Sequence, residues 1–328
     1  MALTVQASTD FAQKAYELMA FYALRPELYF DAVADVRPTN QSQPGSSVQF
    51  TITADLVEAI TPLSETVDVT PQVLSDSTVL VTLLEYGNAV TTTALARGTS
   101  FVDLDPVVAN IVGFNAGKTV DTLARNVLTA GTNVAYAVGD GSNVATSRIT
   151  VGVKNTLVAA DVRSARAALV RNNVPNIGGY YMGFIHPDSA FDLRGQTGTA
   201  TWNEPHAYSA PDQIWSGEIG SFSGVRFIET PRGQIFADAG GSPPGTASNV
   251  DVYATLFMGR QALAKAYSYV DGNGERPLVV PGPVTDALRR FVPIGWYQLV
   301  GYGLFRQLSV LRIEGASTLG LNTVAGSH

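Results

Sequence analysis

The sequence contains no cysteine. That excludes a disulfide framework and any mechanism that needs a thiolate. Charge is scarce as well. Asp, Glu, Lys and Arg make up 15% of the 328 residues, where a soluble domain usually carries about 25%. Lysine occurs at four positions, Lys14, Lys118, Lys154 and Lys265, and histidine at three, His186, His206 and His328. The opening "MALTVQASTD" has neither the basic start nor the apolar stretch of a signal peptide, so export by that route is not expected. The longest uncharged apolar run, Phe291 to Phe305, contains Pro293 and Gly295 and falls short of the ~20 residues that span a bilayer. The net charge of −7 argues against a general electrostatic grip on nucleic acid.

What the chain has in abundance is apolar side chain. Hydrophobic residues reach 45% and mean hydropathy is +0.11. A chain of this length buries a sizeable core in one large or two modest domains. So few charges leave a monomer short of polar groups for its surface. Much of that surface is therefore expected to lie against other chains. A sparsely charged β-rich monomer is the competing reading.

The pattern of residues is most telling between 41 and 100. In "SVQFTITADLVEAITPLSE" (Ser47 to Glu65), Val48, Phe50, Ile52, Ala54 and Leu56 alternate with polar residues, which predicts a strand with one apolar face. A second strand is predicted over Thr78 to Thr93, "TVLVTLLEYGNAVTTT". Six acidic residues, Asp55, Glu58, Glu65, Asp68, Asp76 and Glu85, stand there against one basic residue, Arg97. A lone two-stranded ribbon is marginal in water, so this one needs something to lie on. Pro44-Gly45, in the linker "RPTNQSQPGSS", marks its hinge.

Before the ribbon, Ser8, Thr9 or Asp10 can cap a helix whose face is Phe11, Ala15, Leu18 and Tyr22, ended by Pro26. After it, Asp105 suits an N-cap, Pro106 the first turn and Gly131 the stop of a long helix. Its apolar stripe is Val108, Ile111, Val112, Val120, Leu123, Val127 and Leu128, with a kink expected near Gly113 and Gly117. "GDGSN" (Gly139 to Asn143) is a turn, and a helix is expected from about Asp161 to Asn172. "YYMGFIHP", "GVRFIETP" and "DVYATLFMG" read as buried strands. "WYQLVGYGLFRQLSVLRIE" reads as paired strands bent at Gly301 or Gly303.

Catalytic and metal-binding patterns are sparse. His186, Asp188 and Ser189 in "HPDS" are too close in sequence for the separate positions of a triad, and a histidine packing or capping a turn is expected. His206 and His328 offer no metal-ligand spacing. "DGNGE" (Asp271 to Glu275) begins like a calcium loop, but Arg276 and Pro277 stand where the loop needs its glycine. No phosphate loop, dinucleotide fingerprint or nucleophile elbow is present. No catalytic, cofactor-binding or metal residue is assigned. Arg163, Arg166 and Arg171 form a basic helix face, either solvated or a dock for an acidic surface. Residues 101–180 carry seven basic and five acidic residues, which complements the acidic ribbon.

The order of these segments resembles the major capsid proteins of tailed bacteriophages, with the Hong Kong-type capsid fold. "AITPLSETVDVTPQVL" followed by "VTLLEYGNAVTTT" is similar to that family's extended loop. "YYMGFIHPDSAFDLR" and "GEIGSFSGVRFIETP" resemble axial-domain segments, and "DVYATLFMGRQALAKA" a later axial strand. "GWYQLVGYGLFRQLSVLRIE" resembles the returning peripheral strands, and the Asp105–Gly131 helix the spine. The resemblance implies an α+β fold with an N-terminal arm (1–40), an extended β loop (41–103), a peripheral domain (104–158 and 286–328) and an axial domain (159–285). It implies a structural, non-enzymatic role without cofactors. Copies would form the hexamers and pentamers of an icosahedral head shell, assembled in the host bacterial cytoplasm and containing packaged double-stranded DNA without specific binding. The other partners it implies are a portal protein, a separate scaffolding protein and a decoration protein; no membrane is implied.

Two departures from the family stand out. Members that weld neighbours through an isopeptide bond use an extended-loop lysine, and none of the four lysines lies in 41–103. A helix within about ten residues of Met1 gives no sign of a long cleaved scaffolding segment. The rival within the fold is a cellular nanocompartment (encapsulin-like) shell protein. An α/β enzyme would lack candidate residues, and a secreted β-rich adhesin would lack a signal and a place for the spine helix. The ribbon, about 44–95, is expected to leave the subunit body and bury Val48, Phe50, Ile52, Val79, Val81 and Leu83 on a neighbour. Arg163, Arg166, Arg171, Arg289 and Arg290 are candidate partners for its acids.

Overall fold

The computed structural model describes residues 29–38, 47–53, 56–63, 65–66, 68–69, 71–100, 104–141, 144–196, 218–242, 249–268, 275–281, 288 and 290–319. The expected N-terminal helix, Lys14, the Pro44-Gly45 hinge, Asp55, His206, Asp271 to Gly274, Arg289 and His328 lie outside the described residues.

In chain order, β1 (Asp35–Pro38), β2 (Ser47–Thr53), β3 (Asp76–Thr82) and β4 (Leu84–Thr93) lead into α1 (Ala94–Thr99) and α2 (Leu104–Thr129). Then come β5 (Val134–Tyr136), α3 (Ala159–Arg171), β6 (Tyr181–Ile185) and α4 (Pro187–Arg194). β7 (Glu218–Phe222), β8 (Val225–Glu229), β9 (Ile235–Phe236) and β10 (Val252–Met258) follow. β11 (Leu263–Tyr267), β12 (Leu278–Pro281), β13 (Phe291–Leu304) and β14 (Val310–Gly315) close the order.

The strands form two sheets and a separate hairpin. One sheet runs β1-β11-β13-β12, with β4 antiparallel to β13 over ten residues. The other runs β5-β14-β10-β6-β8-β7, with β9 beside β10. Among the described residues β2 and β3 pair only with each other. The predicted strand over 78–93 is thus two strands broken at Leu83, one in the hairpin and one in the sheet.

The seven-stranded sheet is covered on both faces, so β6 and β10 are buried at every residue in continuous uncharged, largely apolar runs, and β14 is buried throughout although it carries Arg312 and Glu314. On one face lie α3 and α4, through Val162, Ala165, Leu169, Ala190 and Leu193 against Phe227, Phe257 and Ile313. α3 is the helix expected from about Asp161; the Asp161 carboxylate accepts the Val158 N–H at 3.1 Å and so caps its first turn. Asn173, at φ 50°, ends it in the left-handed region.

α2 is continuous through Gly113 and Gly117, at 26 residues, or about 39 Å. Its buried line is Val112, Ala116, Val120, Ala124 and Leu128, a step of four. Each such step advances the line by about 40° around the helix, so it winds by roughly 160° from Val112 to Leu128. The beginning of α2 therefore meets Trp296 of β13. Its end meets Phe30, Met182, Leu256 and Leu263, where the two sheets share one core. The predicted stripe included Ile111, which is 40% exposed, and missed Ala116 and Ala124. Small residues let helix and sheet approach closely and carry little hydropathy of their own.

The tail departs from expectation. β13 runs straight through Gly301 and Gly303, and β14 pairs with β10 and β5 in the other sheet. Strands from 104–158 and 286–328 thus complete the sheet of β6, β8 and β10, while β11 and β12 join the sheet of β4 and β13.

Candidate assembly surface

The hairpin β2–β3 lies on the face of the five-stranded sheet opposite α2. Ala264 pairs with Gly303 and Ala266 with Gly301, so four small residues make one flat patch across β11 and β13. A Cβ on Gly301 would stand 2.2 Å from Thr82 O, and one on Gly303 2.8 Å from Val81 Cγ2. The two glycines make room for the hairpin; they do not bend the strand. Phe50 and Val81 fill the space, at 0% and 1% exposure, together with Phe305, and Val48, Ile52, Val79 and Leu83 border them. Phe50 meets Phe305 edge-on at 5.4 Å. Burial of a side chain such as Phe50 contributes about 1.5–3 kcal/mol. This corrects the expectation that these six apolar residues bury on a neighbour: they pack within their own subunit.

Beyond the hairpin base the pattern reverses. Residues 56–75, where described, contain no helix or strand. Val57, Ile60, Leu63 and Val73 are 78%, 86%, 77% and 92% exposed. Leu56, Val69 and Leu74 are also exposed, as are Glu58, Glu65 and Asp68. Exposed large apolar side chains in one run mark a surface that another molecule covers. The alternating pattern of Val48 to Leu56 is a strand as far as Thr53, and from Leu56 on the large apolar residues described face solvent.

The remaining singled-out residues take structural positions. His186 is the N-cap of α4: its Nδ1 accepts the Asp188 N–H at 3.3 Å, and Pro187 occupies the first turn. The Tyr253 hydroxyl donates to the same Asp188 carboxylate at 2.8 Å. Burial, then Asp188, pushes that phenol well above its ordinary range. Arg163, Arg166 and Arg171 are exposed along α3, and the Arg166 guanidinium packs over Gly224. Arg290 lies at the start of β13, where its carbonyl accepts the Ala94 N–H at 2.7 Å. Lys118 is exposed on α2, and Lys265 is 1% exposed.

Three buried polar clusters join distant segments. Asp121 on α2 accepts the Phe30 N–H at 2.8 Å and pairs with Arg232 Nε at 2.8 Å, and Arg232 also donates to Thr122 Oγ1 and Lys118 O. Asp31 receives Lys265 Nζ at 2.8 Å and the Tyr302 hydroxyl. Burial first, then the Asp31 charge, raises the Tyr302 phenol far above its usual range. Glu314, fully buried, takes a two-pronged bond from Arg148 at 2.6 and 2.8 Å, with Arg312 Nε 2.8 Å away. The bond to Glu314 raises the Arg148 guanidinium, while burial lowers that of Arg312. Sequence reasoning missed these residues. Arg312 and Glu314 alternate with Leu311 and Ile313, a period-two signal for a charged strand face. Asp121 and Asp31 carry no such signal, because their charged partners Arg232 and Lys265 are 111 and 234 residues distant.

Among the described residues no group of three His, Asp or Glu side chains is placed to hold a metal ion. No described helix is long and apolar enough to cross a membrane.

A family model described as phage capsid protein matches residues 4–322. No curated protein sequence matches. Among solved structures, the capsid of Ralstonia phage GP4 superposes with a TM-score of 0.68 at 17% identity, covering 90% of this chain and 92% of that one. The capsid of cyanophage P-SCSP1u gives 0.64 at 16%, covering 90% of each chain. The head of Helicobacter pylori bacteriophage KHP40 gives 0.62 at 12%, covering 88% of each. These likenesses establish the Hong Kong-type phage capsid fold. The chain belongs to the phage capsid protein family and is a structural major capsid protein, a virion component that assembles with further copies of itself into the shell of the phage head.

Proposed function

We propose that the loop of residues 54–75 reaches from its subunit onto a neighbouring copy, and that this contact closes hexamers and pentamers into an icosahedral shell. The observation that carries the reading is the contrast on one hairpin: Phe50 and Val81 are buried on their own sheet, while Ile60 and Val73 stand almost fully exposed. An apolar loop on a pinned base is oriented before assembly, so docking it costs less ordering entropy. The five-stranded sheet with α2 forms the peripheral body, and the seven-stranded sheet with α3 and α4 the axial body.

The shell contains packaged double-stranded DNA. The net charge of −7 suits containment, since a wall that bound DNA tightly would hinder its release. A portal protein at one vertex, a separate scaffolding protein and a decoration protein are the further partners, and assembly takes place in the host bacterial cytoplasm. The test is to replace residues 56–75 by a short Gly/Ser link and image the expressed protein. The expected outcome is a folded subunit, with an unfolding midpoint like the intact chain's, that closes no shells. Normal shells from the shortened chain would overturn the reading. Particles holding a cargo enzyme in place of DNA would reassign the shell as a nanocompartment.

A further inference from the structure

β4 is bonded along one side and bare along the other. It pairs with β13 from Leu84 to Thr93, and no described strand flanks its second edge. The bonding phase follows from one contact beyond the ladder. Ala94 N–H donates to Arg290 O at 2.7 Å, so Ala94 and Arg290 continue the register as a bonded pair. Bonded and non-bonded pairs alternate in an antiparallel ladder. The backbone N–H and C=O groups of Glu85, Gly87, Ala89 and Thr91 therefore point away from β13. The Ala89 N–H agrees with this phase, since it donates to the Asn88 side chain at 2.9 Å.

An edge of ten residues, about 33 Å, is a ready template for another strand. Proteins that must not pair there place lysines, prolines or bulges on the edge. β4 has no lysine or proline, holds an unbroken register and carries one charge, Glu85. Around it stand exposed Leu84, Val90 and Leu95, and two arginines, Arg97 and Arg290, flank its C-terminal end.

We propose that the outer edge of β4 is a strand-addition site that receives the 56–75 loop of a second copy of this chain. Two properties select that occupant. Its described residues form no helix or strand, and the backbone bond Ile60 N–H to Glu58 O spans two residues only, so the loop is extended enough and exposed enough to pair its backbone with another strand. It is also acidic and apolar, with Glu58, Glu65 and Asp68 and no basic residue, which complements the arginines and apolar side chains along β4. The inference rests on the reading that the loop reaches a neighbour, and it names where the loop lands.

Thr91→Pro tests it. Proline removes an outward N–H and leaves the bonds to β13 in place. The unfolding midpoint of the unassembled subunit should stay near that of the intact chain, while shell yield falls by about tenfold or more. If Thr91→Pro assembles normally and the loop-shortened chain does not, the landing site is wrong and the loop reading stands. If both assemble, both fall. Hydrogen exchange on the unsubstituted chain gives a second readout that does not depend on the variant folding. The amides of Glu85, Gly87 and Thr91 should exchange fast in unassembled subunits and slowly in shells. Equal exchange in the two states overturns the proposal, as does an image of shells with β4 of a second copy, or any other segment, beside this edge.

Discussion

The base and the tip of one hairpin are opposites in exposure. Phe50 and Val81 sit at 0% and 1% exposure on a platform of Ala264, Ala266, Gly301 and Gly303. A few residues away, Ile60 and Val73 are 86% and 92% exposed. Both regions are apolar, and composition does not separate them. Geometry does: the platform is small and flat, so it accepts two strands and leaves the connecting loop beyond its edge. Burial at the base belongs to the stability of the subunit, and exposure at the tip belongs to the stability of the shell.

The comparison breaks most directly at Phe50. Phe50→Ala should destabilise the unassembled subunit by about 3–5 kcal/mol in denaturant unfolding. Ile60→Ser should stay within about 0.5 kcal/mol, yet lower the yield of shells. An unchanged unfolding free energy for Phe50→Ala would mean that the hairpin is an appendage and not part of the fold.

Of similar size is the pin between α2 and the segments it carries. Asp121→Ala strands the buried Arg232 and frees the Phe30 N–H, which should cost about 3–5 kcal/mol. Because Asp121 is remote from the hairpin, its effect should add to that of Phe50→Ala in the double variant. A smaller effect belongs to the platform. Gly301→Val places side-chain atoms where Thr82 and Val81 lie, and should cost about 1–3 kcal/mol, with increased protease cleavage within 47–82 as the hairpin lifts.

The smallest expected effect is a pH dependence at Asp161. Burial raises its carboxyl above the ordinary value of 3.8, although the Val158 and Val138 N–H groups pull the other way. The folded state then holds this proton more tightly than the unfolded chain. Its contribution to stability is complete below pH 3.8 and is lost as pH rises through the raised folded value. Asp161→Asn should therefore gain stability relative to the intact chain across that window. Parallel unfolding curves for the two proteins from acid to neutral pH would show that the carboxyl is ordinary.

Much of this architecture is legible in particular stretches. The stop at Gly131 agrees with the end of α2 at Thr129, while the helix begins at Leu104, one residue before the predicted cap Asp105. "YMGFI" and "VYATLFM" read as buried strands and are so, because β-branched and aromatic runs without charge suit a sheet covered on both faces. His186 reads as a cap and is one. The glycines were harder to place. Gly113 and Gly117 suggest a kink and Gly301 and Gly303 a bend, yet all four lie in unbroken elements. Propensity prices a glycine for its own backbone, while these two β-strand glycines are used by what packs over them.

By itself the sequence determined the element types, the low charge and the acidic loop, because these depend on local period and composition, and the order of its segments carried the resemblance to the family. Only the tertiary structure decided which apolar residues of the ribbon belong to the subunit and which are left over. It alone sent β14 to a different sheet from β13, and it alone brought Asp121 to Arg232 and Lys265 to Asp31. The reason is common to all of these. An apolar or charged residue at a given sequence position specifies that it needs a partner. Which partner it finds depends on contacts made between segments far apart in the chain, and no periodicity carries that information.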